Sequence, residues 1–490
     1  MPSNLLFHVW TVFLFVLHLL VVARALTRPN RAPASRVAWV AVIMLLPVVG
    51  VLAYLLLGET SVGRARAKRL REAETTLQRP AQTPATVPEQ AQSLAALAQS
   101  ITGFPAVAGN LIQLLGDAAA PATEPMRNSK AAIAQLVADI GQAQHQVHIA
   151  FYIWLDDAVG QQVARAVADA ARRGVQCRVM VDALGSRAFH GSALWRELAQ
   201  AGVKLLATLD DVGLLRHLAF SRVDLRDHRK LVVIDNRLAY CGSQNCAEPE
   251  FRVKAKYAPW IDVLLRCEGS VVRQLQALFL SGWVPETGET GLDNLACAPV
   301  EPQDAAPGNA VVQAFETGPT ARHNAMSDMF VASMYAAQKE LLISTPYFVP
   351  DEAMLRALCA APRRGVKTSL IVPARNDSWL VGNACRSCYA ELLESGVALY
   401  EYPLGILHAK TLTVDGELAI VGSANMDRRS LELNYENNLL ICDAPTTQSI
   451  RARQLSYLSV SQLVAPDTVR AWPFHQRLIQ NAVGMLAPVL

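Results

Sequence analysis

Two stretches near the N-terminus carry no charged residue. Residues 5–23 read LLFHVWTVFLFVLHLLVVA, and residues 37–58 read VAWVAVIMLLPVVGVLAYLLLG. Each approaches the ~20 apolar residues needed to cross the hydrocarbon core of a bilayer. The pattern predicts two transmembrane helices joined as a hairpin, residues 1–60, with Pro47 and Gly50 tolerated inside the second. The first stretch lacks the basic leader of a signal peptide and is followed by a second apolar run, so it reads as a retained span. Arg24, Arg28, Arg31 and Arg36 lie between the spans; Arg64, Arg66, Lys68, Arg69 and Arg71 follow them. Basic flanks pull both loops inward. The denser second cluster favours a multi-pass protein of the inner membrane with its large C-terminal part on the cytoplasmic side.

The pattern then changes. Residues 61–127 begin with the basic juxtamembrane cluster and continue into EAETTLQRPAQTPATVPEQA, a Thr-, Pro- and Gln-rich linker. Residues 93–115 show helical apolar spacing broken by GFPAVAGN, and are expected to pack on the folded part of the chain. Beyond them apolar strands alternate with amphipathic helices, and the series occurs twice. VHIAFYIWLDD (147–157) matches LLISTPYFVPDE (341–352), and ARRGVQCRVMVDA (171–183) matches APRRGVKTSLIVPA (361–374). In each ARRGV-like run the basic residues suit a helix C-terminus, and Gly174 or Gly365 suits a left-handed cap. The fold class expected is α/β. Two similar lobes, each a mixed sheet flanked by helices, are related by pseudo-two-fold symmetry and span residues 128–290 and 318–490, the latter with a C-terminal tail. Residues 291–317 form the connector.

Composition agrees with a chain partly in lipid: 52% of the 490 residues are apolar and only 18% charged. A net charge of +3 makes no demand for nucleic acid. The nine cysteines are odd in number and scattered, which suits reduced, buried thiols better than a disulfide framework. Cys385 and Cys388 form one CxxC in a helical-looking segment and read as core.

The chemistry sits in a repeated motif. HRKLVVID (228–235) and HAKTLTVD (408–415) place His, Lys and Asp at identical spacing, followed at equal distance by GSQN (242–245) and GSAN (422–425). Side chains alternate faces along a strand, so His228 and Lys230 share a face, as do His408 and Lys410. Asp235 and Asp415 complete each motif. They have the opposite parity and stand in DN and DG turn signals, which gives them a turn-shaping or buttressing part. The returning strands bring Ser243, Asn245, Ser423 and Asn425 back toward the histidines as candidate phosphate-binding groups. Each imidazole needs a partner to fix its tautomer. Asp262 is the candidate for the first half and Glu436 for the second. Such a set suits a phosphodiester. One imidazole attacks phosphorus, the other moves the proton, and two lysines with two asparagines hold the non-bridging oxygens in place of a metal. No His/Cys/Asp cluster has metal-ligand spacing, and neither a GxxxxGK[ST] loop nor a GxSxG elbow occurs.

The paired motifs resemble the phospholipase D superfamily. Within it YLLLGE, FYIWLDD, ARRGVQCRVMVDALGSR, LRDHRKLVVID, STPYFVPDE and LGILHAKTLTVDGELAIVGSANMDRRSLELNYE are similar to the bacterial cardiolipin synthases over nearly the whole chain. The resemblance implies phosphatidyl transfer between two phosphatidylglycerol molecules, giving cardiolipin and glycerol through a covalent phosphatidyl-histidine. It implies His228, Lys230, Asp235, His408, Lys410 and Asp415 as the catalytic set, with His228 the nucleophile and His408 the acid/base. It implies no metal or other cofactor; the partners are phospholipid and membrane, and no nucleic acid. A phospholipase D that uses water or another alcohol shares all of these residues. A membrane-anchored nuclease and a non-catalytic membrane scaffold are the remaining alternatives.

Overall fold

A computed structural model describes residues 2–29, 33–59, 62–116, 121–210, 222, 224–297 and 308–486. Arg31 of the expected hairpin loop and residues 298–307 of the expected connector lie outside them. Helix α1 (Pro2–Thr27) contains a 20-residue apolar run, His8–Thr27, long enough to cross a membrane. The second apolar stretch, expected as a full span, is split into α2 (Pro33–Leu45) and α3 (Pro47–Leu57). At 1.5 Å per residue these helices are roughly 20 and 17 Å long, short of the ~30 Å core. Leu46 leaves the helical region (φ −128°, ψ 73°), as the residue before a proline tends to do. α3 then folds back on α2. The Trp39 and Tyr54 rings meet edge-on at 5.4 Å, and a Cβ on Gly50 would lie 2.4 Å from the Val42 carbonyl oxygen. The turn comes level with the middle of α1, where His18 Nε2 lies 2.9 Å from the Ile43 carbonyl. The chain returns to the end of α1, where Glu59 pairs with Arg28 at 2.5 Å and with Arg24 at 2.7 Å.

Helix α4 (Arg64–Thr76) carries the basic cluster. Arg66 pairs with Glu286 at 2.9 Å and Arg69 Nε donates to the Pro285 carbonyl at 3.0 Å, so part of the cluster is held by protein. Arg64, Lys68 and Arg71 are exposed. The Thr/Pro/Gln-rich run is pinned along the surface: Gln78 N–H donates to the Asp293 carbonyl and Ala85 N–H to the Ala106 carbonyl. Helix Glu89–Thr102 buries Ala91, Leu94 and Ala98 in one core with Phe315 and Met329, so it packs on the folded part, as expected. The helical expectation fails for the end of that stretch, since Val107–Leu114 is a strand. Two neighbours decide this. It pairs antiparallel with Leu264–Glu268 on one side and with Ala310–Thr317 on the other, long-range bonds that the local pattern does not contain.

That second pairing joins the two repeats into one continuous sheet. Outward from the seam the first repeat runs Leu264–Glu268, Leu238–Gly242, Lys230–Ile234, Gln146–Phe151, Gln176–Asp182 and Lys204–Thr208. The second runs Asn434–Cys442, Leu418–Gly422, Thr411–Val414, Glu340–Ser344, Lys367–Pro373 and Ala398–Tyr402. The order is the same, and the sheet is mixed: in both halves the motif strand is antiparallel to its outer neighbour, and the strands beyond are parallel. The helices start and stop on repeated signals. Asp157 accepts from Gly160 N–H and Asp351 from Met354 N–H as N-caps, while Gly174 (φ 96°) and Gly365 (φ 86°) adopt the left-handed region past the C-termini.

Candidate active site

Both motif strands are fully buried and continue through tight hairpins. Asp235 and Asn236 have φ of 52° and 56°, and Asp415 and Gly416 have 55° and 71°, the two consecutive positive values of a type I′ turn. The Asp235 carboxylate accepts from the backbone N–H of Gln144, His145 and Gln146 at 2.7–2.8 Å. Asp415 does the same for Gln338, Lys339 and Glu340 at 2.7–2.9 Å. Both aspartates stand at the far end of their strands from the histidines. The structure therefore removes them from the reacting set and makes them turn clasps, as strand parity suggests.

The two histidines take their supports from opposite repeats, across the seam. His228 N–H donates to the Tyr435 carbonyl at 2.9 Å, and His228 Nδ1 lies 2.8 Å from Glu436. His408 N–H donates to the Ile261 carbonyl at 2.8 Å, and His408 Nδ1 lies 2.6 Å from Asp262. Each carboxylate holds the imidazole of the other repeat. The expected pairing within each half is thus corrected. Its cause is a pair of short parallel bridges between the repeats, Arg226–Asp227 beside Asn434–Tyr435 and Trp260–Ile261 beside Ile406–Leu407. They set each carboxylate one residue beyond the carbonyl that anchors the opposite histidine. A carboxylate at Nδ1 fixes that nitrogen as the N–H donor and leaves the Nε2 lone pair free.

Burial decides the charges. It drives both imidazoles down to about 4, against the pull of Glu436 on His228 and of Asp262 on His408. Lys410 also lowers His228, and Lys230 lowers His408, so both motifs act in one field. The two carboxylates resist burial: His228 and Lys230 hold Glu436 below the usual range, and His408 and Lys410 do so for Asp262. Burial pushes Lys230 down to about 8, and Lys410 well below the lysine range. Each ammonium donates to the carbonyl of its own histidine, at 2.7 Å for Lys230 and 2.6 Å for Lys410. The free site thus holds two neutral imidazoles and two carboxylates beside two buried lysines whose charge is disfavoured by burial.

The serines are placed differently from expectation. Ser243 Oγ donates to Asp262 at 2.6 Å and Ser423 Oγ donates to Glu436. Each hydroxyl also accepts a backbone N–H, from Val263 at 3.0 Å and from Asn437 at 2.9 Å. Their hydrogen bonds go to the histidine-holding carboxylates, so they support the imidazoles from behind and are withdrawn as phosphate ligands. Asn245 Oδ1 accepts from Ile153 N–H at 3.2 Å, and Asn425 Oδ1 is buried with no hydrogen-bond partner among the described residues.

Four further residues escape the motif reading. Tyr152 packs edge-on against His228 with ring centroids 4.8 Å apart, and Lys230 Nζ lies 5.3 Å from the Tyr152 centroid. Trp260 covers His408 at 4.5 Å, and its buried indole N–H has no partner among the described residues. Tyr347 bonds Asp377 at 2.7 Å and feels both Asp427 and Tyr152. Asn437 pairs with the backbone of Lys230, accepting its N–H at 2.8 Å and donating to its carbonyl at 3.2 Å. The tyrosines had a signal, since FYIW and PYFV occupy equivalent places in the repeat. Asn437 had none, because its contact crosses the seam.

Comparison with known proteins agrees with this geometry. A family model described as cardiolipin synthase, PLD-like domain, matches residues 136–283 and 330–455, and one described as phospholipase D-nuclease N-terminal matches residues 13–59. Cardiolipin synthase A of Cronobacter sakazakii is 36% identical over 482 residues, and that of Salmonella arizonae is 36% identical over 476; each alignment covers 94% of both chains. Among solved structures, a phosphatidylserine synthase from Haemophilus influenzae superposes with a TM-score of 0.58 at 13% identity, covering 81% of this chain and 100% of its own. That likeness speaks for the fold alone. With two matched repeats, relatives alike along almost their full length and a paired His–Lys site at the seam, the chain belongs to the cardiolipin synthase family of phospholipase D-like proteins.

Proposed function

We propose that the protein is a phosphatidyltransferase that makes cardiolipin and glycerol from two molecules of phosphatidylglycerol. The observation that carries the mechanism is the exchanged support: two imidazoles, each held at Nδ1 by the other repeat's carboxylate, within one shared field. In the first step His228 Nε2 attacks the phosphorus of one phosphatidylglycerol. The bond from phosphorus to the glycerol headgroup oxygen breaks, and His408 gives that oxygen its Nε2 proton. In the second step the headgroup hydroxyl of another phosphatidylglycerol returns a proton to His408, attacks phosphorus and displaces His228. Lys230, Lys410, Asn245 and Asn425 are the groups assigned to the non-bridging oxygens. The anionic phosphodiester opposes the effect of burial and draws the required proton onto His408. Glu436 and Asp262 stabilise whichever imidazole becomes positive.

Burial also bears on the acceptor. The His228 and His408 side chains are only 8% and 3% exposed, which favours a lipid alcohol over bulk water once the first lipid is bound. For the membrane, α1 is assigned as the crossing and α2–α3 as a re-entrant loop beside it, with the catalytic sheet at the inner surface. Purified protein given phosphatidylglycerol alone tests the assignment. Cardiolipin and glycerol in equal amounts are expected; phosphatidic acid as the sole lipid product overturns the synthase reading in favour of a hydrolase.

A further inference from the structure

A surface beside this site is assigned nothing by the reaction. Helix Phe474–Leu486, near the C-terminus, lies against helix Trp379–Ser387, where a Cβ on Gly484 would meet Ser387 Oγ at 2.6 Å. Gln480 and Val483 face inward, at 2% and 6% exposure. The opposite face is apolar and open: Phe474, Leu478 and Met485 are 73%, 57% and 77% exposed. At 3.6 residues per turn these three project within about 40° of one another, so they form one stripe. The neighbouring helix adds Trp379, 64% exposed, and Leu380. Lys254 of the short helix Arg252–Tyr257 pairs with the buried carboxylate of Asp377, two residues before Trp379, and Val253 on that short helix is also exposed.

Three observations say what covers it. None of the three segments, FHQRLIQNAVGML, WLVGNACRS and RVKAKY, contains an acidic residue; Asp377 beside them is paired with Lys254, and Lys256, Arg375 and Arg477 are exposed on or beside them. An isologous contact with a second copy would set these cations against one another, whereas an anionic bilayer complements them. A chain of contacts links this surface to the site: Asp377 holds Tyr347, and Tyr347 feels Tyr152, which packs on His228. The segment after the second motif also touches the membrane helices: Arg428, next to Asp427, donates to Ser35 at the start of α2.

We infer that this face, Phe474, Leu478 and Met485 with Trp379, Leu380 and Val253, is a second membrane contact. It seats in the headgroup region of an anionic bilayer and holds the mouth of the histidine site against the lipid. The inference rests on the phosphatidyltransferase reading for its purpose, not for its test. α1 tethers the chain; this face sets the tilt of the catalytic sheet, so that lipid reaches the site without leaving the membrane.

The test uses the full chain with both Phe474→Glu and Leu478→Glu. Turnover of long-chain phosphatidylglycerol in vesicles is expected to fall about tenfold or more, as two buried apolar groups become charged. Turnover of a dissolved, short-chain phosphatidylglycerol is expected to stay within twofold. Unchanged turnover of both lipids overturns the inference, as does a change in oligomeric state with unchanged vesicle turnover, which would make the face a contact between copies. If both rates fall, the fluorescence difference between wild type and Trp379→Phe in brominated phosphatidylglycerol vesicles decides. A component quenched by bromine supports the contact, and an unquenched one overturns it. Should the wild type form no cardiolipin from either lipid, the reaction assignment fails while the quenching result still settles the docking.

Discussion

Replacing Glu436 by Gln tests the exchanged support most directly. The change keeps the shape of the side chain and removes its charge. Glu436 is fully buried and sits 2.8 Å from His228 Nδ1, with Ser423 Oγ and, at 3.2 Å, Asn434 Nδ2 on the same carboxylate. Glutamine can present its amide N–H to Nδ1, which shifts the imidazole proton to Nε2 and blocks the attacking lone pair. It also removes the charge that balances the imidazole when its bond to phosphorus forms. A carboxylate in this position is worth about 10³–10⁴ in rate, or roughly 4–5.5 kcal/mol of barrier. The loss belongs in kcat, because the carboxylate faces the histidine and not the lipid. Acid quenching of the enzyme with radiolabelled phosphatidylglycerol measures the covalent adduct. Glu436→Gln should fail to accumulate it, like His228→Ala, while Asp262→Asn should behave like His408→Ala and fail in proton delivery. Activity within threefold of wild type refutes the argument. So does a Glu436→Gln enzyme that matches His408→Ala, since that would restore pairing within each repeat.

The serine reassignment separates kcat from KM: Ser243→Ala and Ser423→Ala each remove one hydrogen bond to a buried carboxylate, so kcat should fall about tenfold with KM unchanged, whereas a phosphate ligand would move KM. Asp235→Asn and Asp415→Asn weaken three backbone hydrogen bonds each; thermal unfolding should show a loss of about 1–3 kcal/mol, with the kcat of folded enzyme within about twofold of wild type. Acid should destabilise the fold through its histidines. His228 and His408 are held near 4 against an ordinary value of 6.5, so the unfolded chain binds more protons as pH falls from 6.5 toward 4; melting temperatures over that window should drop less steeply in a His228→Gln/His408→Gln variant. If α1 is the one crossing, as proposed, the two chain ends lie on opposite faces, so epitope tags at the N- and C-termini should be protected differently in sealed vesicles, and equal protection would reinstate two full spans.

Much of the fold was legible because it is written in local periods and then repeated. The strand parity of HRKLVVID and HAKTLTVD, the DN and DG turns and the glycine ends of ARRGV-like runs each depend on neighbours a few residues away. The duplication itself told that one copy of the motif would stand on each side of a seam between two like halves. Apolar content alone does not reveal the break at Leu46 inside residues 37–58: the return of α3 along α2 places Gly50 against Val42 and Trp39 against Tyr54.

By itself, then, the sequence laid out the candidate chemistry: the side chains the proposed reaction uses, in two copies, on strands with the expected faces, beside an apolar anchor. The tertiary structure alone decided who supports whom. His228 and Glu436 are 208 positions apart, and His408 and Asp262 are 146 apart, and no local pattern ranks one buried carboxylate over another at such separation. The choice was made by backbone hydrogen bonds between the repeats, from His228 N–H to the Tyr435 carbonyl and from His408 N–H to the Ile261 carbonyl. They hold each motif strand against the other repeat's carboxylate segment, so each half of the sheet supplies what the other half's histidine lacks.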